Sequence, residues 1–184
     1  MWNNILLALW FFLPAGIANA TPVFAKKIPL FDKLDYPIDF KKNFNGKRIF
    51  GDHKTFRGLI TGVVMAIVTA GLQKIIFDNS PELRASLGFD FSSVNFVLYG
   101  FLAGMGALLG DAIKSFFKRR VNIKPGSAWF PFDQIDYIVG GIVFLMPLIK
   151  LELVQYLITF IVWFGMHLVT TYIGFLLKLK DKPI

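Results

Sequence analysis

Trp2-Asn3-Asn4-Ile5-Leu6-Leu7-Ala8-Leu9-Trp10-Phe11-Phe12-Leu13-Pro14-Ala15-Gly16-Ile17-Ala18-Asn19-Ala20-Thr21-Pro22-Val23-Phe24-Ala25 contains no charged residue. A helix needs about 20 predominantly apolar residues to cross a hydrocarbon layer of about 30 Å. This stretch alone therefore points to the bilayer as solvent. Ala18-Asn19-Ala20 has the small residues of a signal-cleavage site. However, Met1 to Asn4 carries no positive charge and the apolar run continues past Ala20, so the segment reads as a retained transmembrane helix. The whole chain agrees: of 184 residues, 55% are hydrophobic and 17% charged, with a mean hydropathy of +0.57. That composition excludes a disordered chain. The absence of cysteine excludes disulfides and thiolate metal sites, and two histidines leave any metal site dependent on carboxylates.

Further apolar runs follow at Leu59–Phe77, about Phe91–Leu109, Tyr137–Ile149 and Leu153–Leu177. The fourth is short and reaches spanning length only if its helix runs from near Asp133 to near Lys150. The expected fold is an all-α integral membrane protein in one domain, 1–184, with about five transmembrane helices, near 3–25, 57–77, 92–118, 133–150 and 153–177. Gly100 and Gly104, then Gly106 and Gly110, are each four apart on the third helix. This spacing permits close helix packing and also leaves room for a lipid tail.

Charge fixes the expected orientation. The segment 26–57 carries nine basic residues: Lys26, Lys27, Lys33, Lys41, Lys42, Lys47, Arg48, Lys54 and Arg57. The segment 111–136 carries five: Lys114, Lys118, Arg119, Arg120 and Lys124. Between them, 78–92 holds only Arg84 against Asp78, Glu82 and Asp90, and the end of the chain holds Lys178, Lys180 and Lys182. Basic and non-basic sides alternate as five crossings require. The positive-inside rule then puts the N-terminus outside and both basic loops and the C-terminus in the cytoplasm.

These two loops hold most of the chain's ionisable groups. In the first, Asn43 to Gly58 interleaves glycines with Lys47, Arg48, Lys54 and Arg57. Glycine lets successive N–H groups face an anion, and cations add charge-assisted hydrogen bonds. Thr55 is placed to cap the second helix and present its N–H groups to a phosphate. A basic juxtamembrane loop meeting lipid headgroups explains the same composition, and no Walker spacing is present.

In the second loop, Asp111, Ser115 and Lys118 share one face if the third helix continues inward, and Pro125-Gly126 then turns the chain. Asp133 and Asp136 follow at the start of the next helix. Singly, each aspartate has an ordinary reading as a span end, an N-cap or a dipole complement. Together, three carboxylates among cations suit Mg²⁺ and phosphates. His53 beside Asp52 reads as a polar contact or a base, and intramembrane His167 as a neutral packing group.

Gly110-Asp111-x-x-x-Ser115-x-x-Lys118-Arg119, then Lys124 and Asp133-x-x-Asp136, resembles the signature of the CTP-dependent phosphatidate cytidylyltransferases. Pro37-Ile38-Asp39-Phe40 and the run from Asn45 to Gly58 resemble the related CDP-archaeol synthase family. Three departures from the phosphatidate pattern favour the archaeol branch. Lys114 stands where an acid precedes the serine, Ser127 to Phe132 replaces a Pro-Gly-His-Gly-Gly stretch, and Gln134-Ile135 lacks the usual arginine.

The resemblance implies transfer of CMP from CTP to a geranylgeranyl diether of glycerol 1-phosphate, releasing pyrophosphate, with Mg²⁺ as cofactor. It implies Asp111, Asp133 and Asp136 as metal ligands and Lys118, Arg119 and Lys124 as phosphate neutralisers. Lys47, Arg48, Lys54, Thr55 and Arg57 would hold phosphates, with Asn45, Asp52, Ser115 and Ser127 also at the substrate. The implied partners are CTP, the isoprenoid diether lipid and the bilayer, with no nucleic acid. Oligomeric state stays open. The competing readings are a diacyl phosphatidate enzyme, a CDP-alcohol phosphotransferase, whose Asp-Gly-x-x-Ala-Arg pattern is absent, and a small transporter or scaffold.

Overall fold

The computed structural model describes residues 2–124 and 126–176. Among them are six α-helices: α1 (Trp2–Ala25), α2 (Phe56–Asn79), α3 (Pro81–Leu87), α4 (Phe96–Arg120), α5 (Phe132–Leu145) and α6 (Leu153–Leu176). A 3-10 helix (Pro29–Leu34) and a hairpin of β1 (Asn43–Phe44) and β2 (Lys47–Arg48) lie between α1 and α2. Four helices, α1, α2, α4 and α6, are long and apolar enough to cross a bilayer.

The fourth expected crossing differs. It was expected over 133–150, but α5 has 14 residues and ends at Leu145. Pro147 supplies the reason, because it has no N–H to continue the ladder. The lysines at 178, 180 and 182 lie outside the described residues, as does Pro125. Among the described residues, α4 stops at Arg120, ahead of the turn expected at 125–126.

Helix α1 packs against α2, α4, α5 and α6. Its buried residues Leu7, Ala8, Phe11, Phe12, Ala15 and Ala18 recur with helical spacing. Pro14 lies inside α1 and cannot donate to the carbonyl of Trp10, four residues earlier. In a bilayer that carbonyl must find another donor. Gln73 of α2 supplies it, with Nε2 donating at 2.7 Å. Tyr99 of α4 donates to the carbonyl of Phe11 at 2.7 Å, and Trp163 of α6 to that of Ala8 at 3.0 Å. Three helices are thus tied to the backbone of the first.

The glycines of α4 serve two contacts. Gly100 and Gly104 meet the backbone of Ile67 and Val63 on α2, whereas Gly106 and Gly110 meet Gly140 and Asp136 on α5. A Cβ on Gly110 would stand 2.3 Å from the carbonyl oxygen of Asp136, so only glycine admits this approach. The small-residue spacing is therefore helix packing, and it brings the polar ends of α4 and α5 together.

Candidate active site

The first loop is organised around Asp39, which is 4% exposed. Its carboxylate accepts from Arg48 Nη2 at 2.7 Å and from the backbone N–H groups of Lys41, Phe50 and Gly51 at 3.0, 2.9 and 3.0 Å. Burial raises this carboxyl, but the Arg48 guanidinium and the three N–H groups outweigh it and bring it down to about 2. In return Asp39 first, and then Asp52, raise Arg48.

The Asn45-Gly46 turn has both residues at positive φ, +49° and +73°, as a two-residue hairpin demands. Arg120, the last residue of α4, holds this hairpin. It donates to the carbonyls of Phe44 at 2.7 Å and Arg48 at 2.6 Å, and lies over the rings of Phe44 and Phe116. Lys47 donates back to the carbonyl of Arg120 at 3.0 Å.

These contacts sort the expected phosphate-holding residues. Arg48 is engaged by Asp39 and Asp52, and Arg57, buried, by Asp32 at 3.2 Å and Asp35 at 3.0 Å. Lys47 docks the hairpin, Asn45 forms its turn, and exposed Asp52 pairs with Arg48 at 2.5 Å. Lys54 is the first-loop cation that reaches the aspartates, in a short ion pair with Asp111. Thr55 caps α2 as expected, its Oγ1 accepting from the N–H of Gly58 at 3.3 Å. His53, Lys54, Thr55 and Asp111 line one side of a pocket of about 210 Å³ that also touches Asn19 and Lys26, its remaining wall being largely apolar, with Val23, Ile38, Leu59 and Leu108.

The helix continues inward through Arg120, so α4 carries Asp111, Lys114, Ser115 and Lys118 into the site. Packing at Gly110 sets them against Asp133 and Asp136 of α5. Lys114 Nζ lies 3.1 Å from Asp111, 2.6 Å from Asp133 and 2.9 Å from Asp136. Buried Lys118 lies 2.9 Å from both oxygens of Asp133 and donates to the carbonyl of Ser127 at 2.7 Å. Asp133 also accepts from the N–H of Trp129 at 2.6 Å, and the N-cap of α5 is Pro131, not Asp133. Asp136 Oδ1 accepts from the N–H of Tyr137 at 2.6 Å, while its buried Oδ2 has the ion pair to Lys114 without hydrogen-bond geometry.

Ser115 is buried within α4, Arg119 lies beside Gly51, and Lys124 is exposed. His167 sits against the ring of Tyr137, with centroids 5.5 Å apart. Lys114 is the site residue that the sequence left out of the constellation. The signal was present, because it lies three residues after Asp111 and four before Lys118.

Among the described residues no three acidic side chains are placed to hold one metal ion together. The three aspartates instead converge on the Lys114 ammonium. Their oxygens are the hard donors that Mg²⁺ takes, and Asp136 Oδ2 is buried without a hydrogen bond. The chemistry of these donors suits such an ion, while their placement in this structure is set by the ammonium.

Beyond the carboxylates, an apolar groove of about 590 Å³ runs between α4 and α5. Lys114 and Asp136 stand at its polar end, and Gly106, Gly110, Phe117, Phe132, Val143 and Phe144 form its walls. Phe117, Val139 and Val143 are exposed, so the groove opens sideways onto the lipid-facing surface.

Comparison with known proteins gives a consistent answer. The family model described as CarS-like, CDP-archaeol synthase, matches residues 1–184. The CDP-archaeol synthase of Pyrococcus furiosus is 35% identical over 182 residues, covering 98% of this chain and 99% of that relative. That of Thermococcus onnurineus is 34% identical, covering 98% of each chain. A solved structure of an intramembrane enzyme for archaeal membrane lipids biosynthesis is 27% identical and superposes with a TM-score of 0.69 over 89% of this chain and 91% of its own. The chain belongs to the CDP-archaeol synthase family, membrane cytidylyltransferases of archaeal lipid biosynthesis.

Proposed function

We propose that this protein transfers CMP from CTP to the phosphate of 2,3-bis-O-geranylgeranyl-sn-glycerol 1-phosphate, giving CDP-archaeol and pyrophosphate. One observation carries the reading. The Asp111–Lys114–Asp136 ion-pair chain stands between a pocket into which Lys26, His53, Lys54 and Asp111 bring the polar groups and an apolar groove that ends on Lys114 and Asp136. A nucleotide and a lipid can approach this line from opposite sides and meet at their phosphates.

The lipid phosphomonoester is already an anion, so its oxygen attacks the α-phosphorus of CTP without a general base. The bond from that phosphorus to the β-bridging oxygen breaks, and pyrophosphate leaves with the electron pair. The task left to the protein is to bring two polyanions together and to stabilise the departing charge. Lys54 and Thr55 line the pocket beside Asp111 and suit the nucleotide phosphates. Lys118 suits the charge near Asp133, and Arg119 and Lys124 lie close enough in the chain to neutralise the outer phosphates. Asp111, Asp133 and Asp136 would hold Mg²⁺, which supplies charge neutralisation at the transferring phosphoryl group. The isoprenoid tails occupy the groove between α4 and α5, and the basic loops face the cytoplasm with the N-terminus outside.

The test uses purified protein in detergent with labelled CTP, Mg²⁺ and the diether phosphate, beside a parallel reaction with diacyl phosphatidate. Label is expected in the diether lipid with release of pyrophosphate. Transfer to neither lipid rejects the reaction, and preferential transfer to the diacyl acceptor rejects the tail assignment.

A further inference from the structure

Lys114 is 12% exposed and is the one side chain among the described residues that pairs with Asp111, Asp133 and Asp136 together. Resting on the reaction proposed above, we propose that its ammonium is a resident counter-ion that holds these carboxylates until a divalent cation arrives with the nucleotide, and that it keeps the bare site from taking that cation alone.

The argument is one of charge and space. Three carboxylates are matched by Lys54 on Asp111, Lys118 on Asp133 and Lys114 on all three. A divalent ion entering alone would add two positive charges to a balanced set and sit beside an ammonium already between its ligands. Like charges at such separations repel strongly in a partly desolvated site. A cation entering with a triphosphate brings more negative charge than positive, so the lysines regain anionic partners.

Two details favour displacement over a permanent lock. Asp136 Oδ2, on a side chain 6% exposed, meets Lys114 at 2.9 Å without a hydrogen bond, so one donor of the set is incompletely satisfied by the ammonium. Lys114 also lines the apolar groove, so its flexible four-carbon stem has space to swing from the carboxylates toward the groove end. There a lipid phosphate would meet it. A single lysine would then couple entry of the metal-bound nucleotide to capture of the second substrate.

The experiment reads metal binding, not turnover. Mn²⁺ is titrated by electron paramagnetic resonance into purified protein in detergent without nucleotide. The wild type is expected to bind Mn²⁺ weakly. Lys114→Gln is expected to bind it at least about tenfold tighter, a difference of about 1.4 kcal/mol. Lys114→Arg, which keeps the charge, is expected to match the wild type. Adding Asp136→Asn to Lys114→Gln is expected to remove the gain. Thermal melts show that each variant is folded.

Equal Mn²⁺ affinity in the wild type and folded Lys114→Gln overturns the proposal. So does tight Mn²⁺ binding by the wild type without nucleotide, a result that needs no variant. Loss of the proposed reaction would appear separately, as no transfer of label by the wild type in the assay above.

Discussion

The carboxylate of Asp39 accepts four hydrogen bonds from a segment that reaches from Lys41 to Gly51. Asp39→Asn removes the charge behind all four, and bonds to a charged group contribute about 1.5–3 kcal/mol each. A loss of about 2 kcal/mol is expected, read as a lower melting temperature in detergent. The pH dependence follows from the lowered carboxyl. Because it lies at about 2 when folded, against an ordinary 3.8, its contribution is complete above about pH 4. It is lost as pH falls toward 2, so the melting temperatures of wild type and variant should converge over that window. At the site itself, Asp111→Asn, Asp133→Asn and Asp136→Asn are each expected to lower cytidylyl transfer by about 100-fold or more while the protein stays folded. Full activity in all three removes the metal assignment. That the three aspartates gather in one place was legible from their spacing on α4 and at the start of α5. Arg48 and Arg57 were not separable from Lys54 in the sequence, since their partners Asp39, Asp32 and Asp35 are set by the loop's tertiary path.

At the scale of elements, the approach of α4 to α5 decides whether a site exists. Gly110→Ala would drive a Cβ to 2.3 Å from the carbonyl oxygen of Asp136, backbone that cannot rotate away. The expected result is a stability loss of about 1–3 kcal/mol. Transfer activity should fall more steeply than stability, because Asp133 and Asp136 move with α5. Melting curves and initial rates on the same preparation check this. The glycine spacing announced that packing, and the apolar runs, read as about five crossings, include the four long helices. The hairpin of β1 and β2 was read instead as a phosphate-facing loop, although Asn45-Gly46 is a strong two-residue turn signal. It went unread because strands of two residues offer no alternation to detect. The end of α5 was misplaced by a run of apolar residues, Met146 to Ile149, that continues past Pro147.

At the scale of the whole molecule, two separate spaces adjoin on one line of charged residues, and the two substrates should be separable by mutation. Val143→Trp fills the apolar groove, which shares no lining residue with the pocket at Lys54 and Asp111. The expected outcome is a severalfold rise in KM for the lipid with KM for CTP unchanged, measured by varying each substrate in turn. A rise in both would mean that the groove does not hold the tails. The short α5 carries a consequence of another kind. Its 14 residues extend about 21 Å, while the surrounding hydrocarbon is about 30 Å deep. The chain turns back at Lys150-Leu151-Glu152 before a full crossing at that thickness is complete. Lipids beside Val139 and Val143 must therefore compress to meet a charged turn, and that elastic cost grows with acyl length. The enzyme becomes a gauge of bilayer thickness: reconstituted into phosphatidylcholines of increasing chain length, its turnover should decline as the membrane thickens.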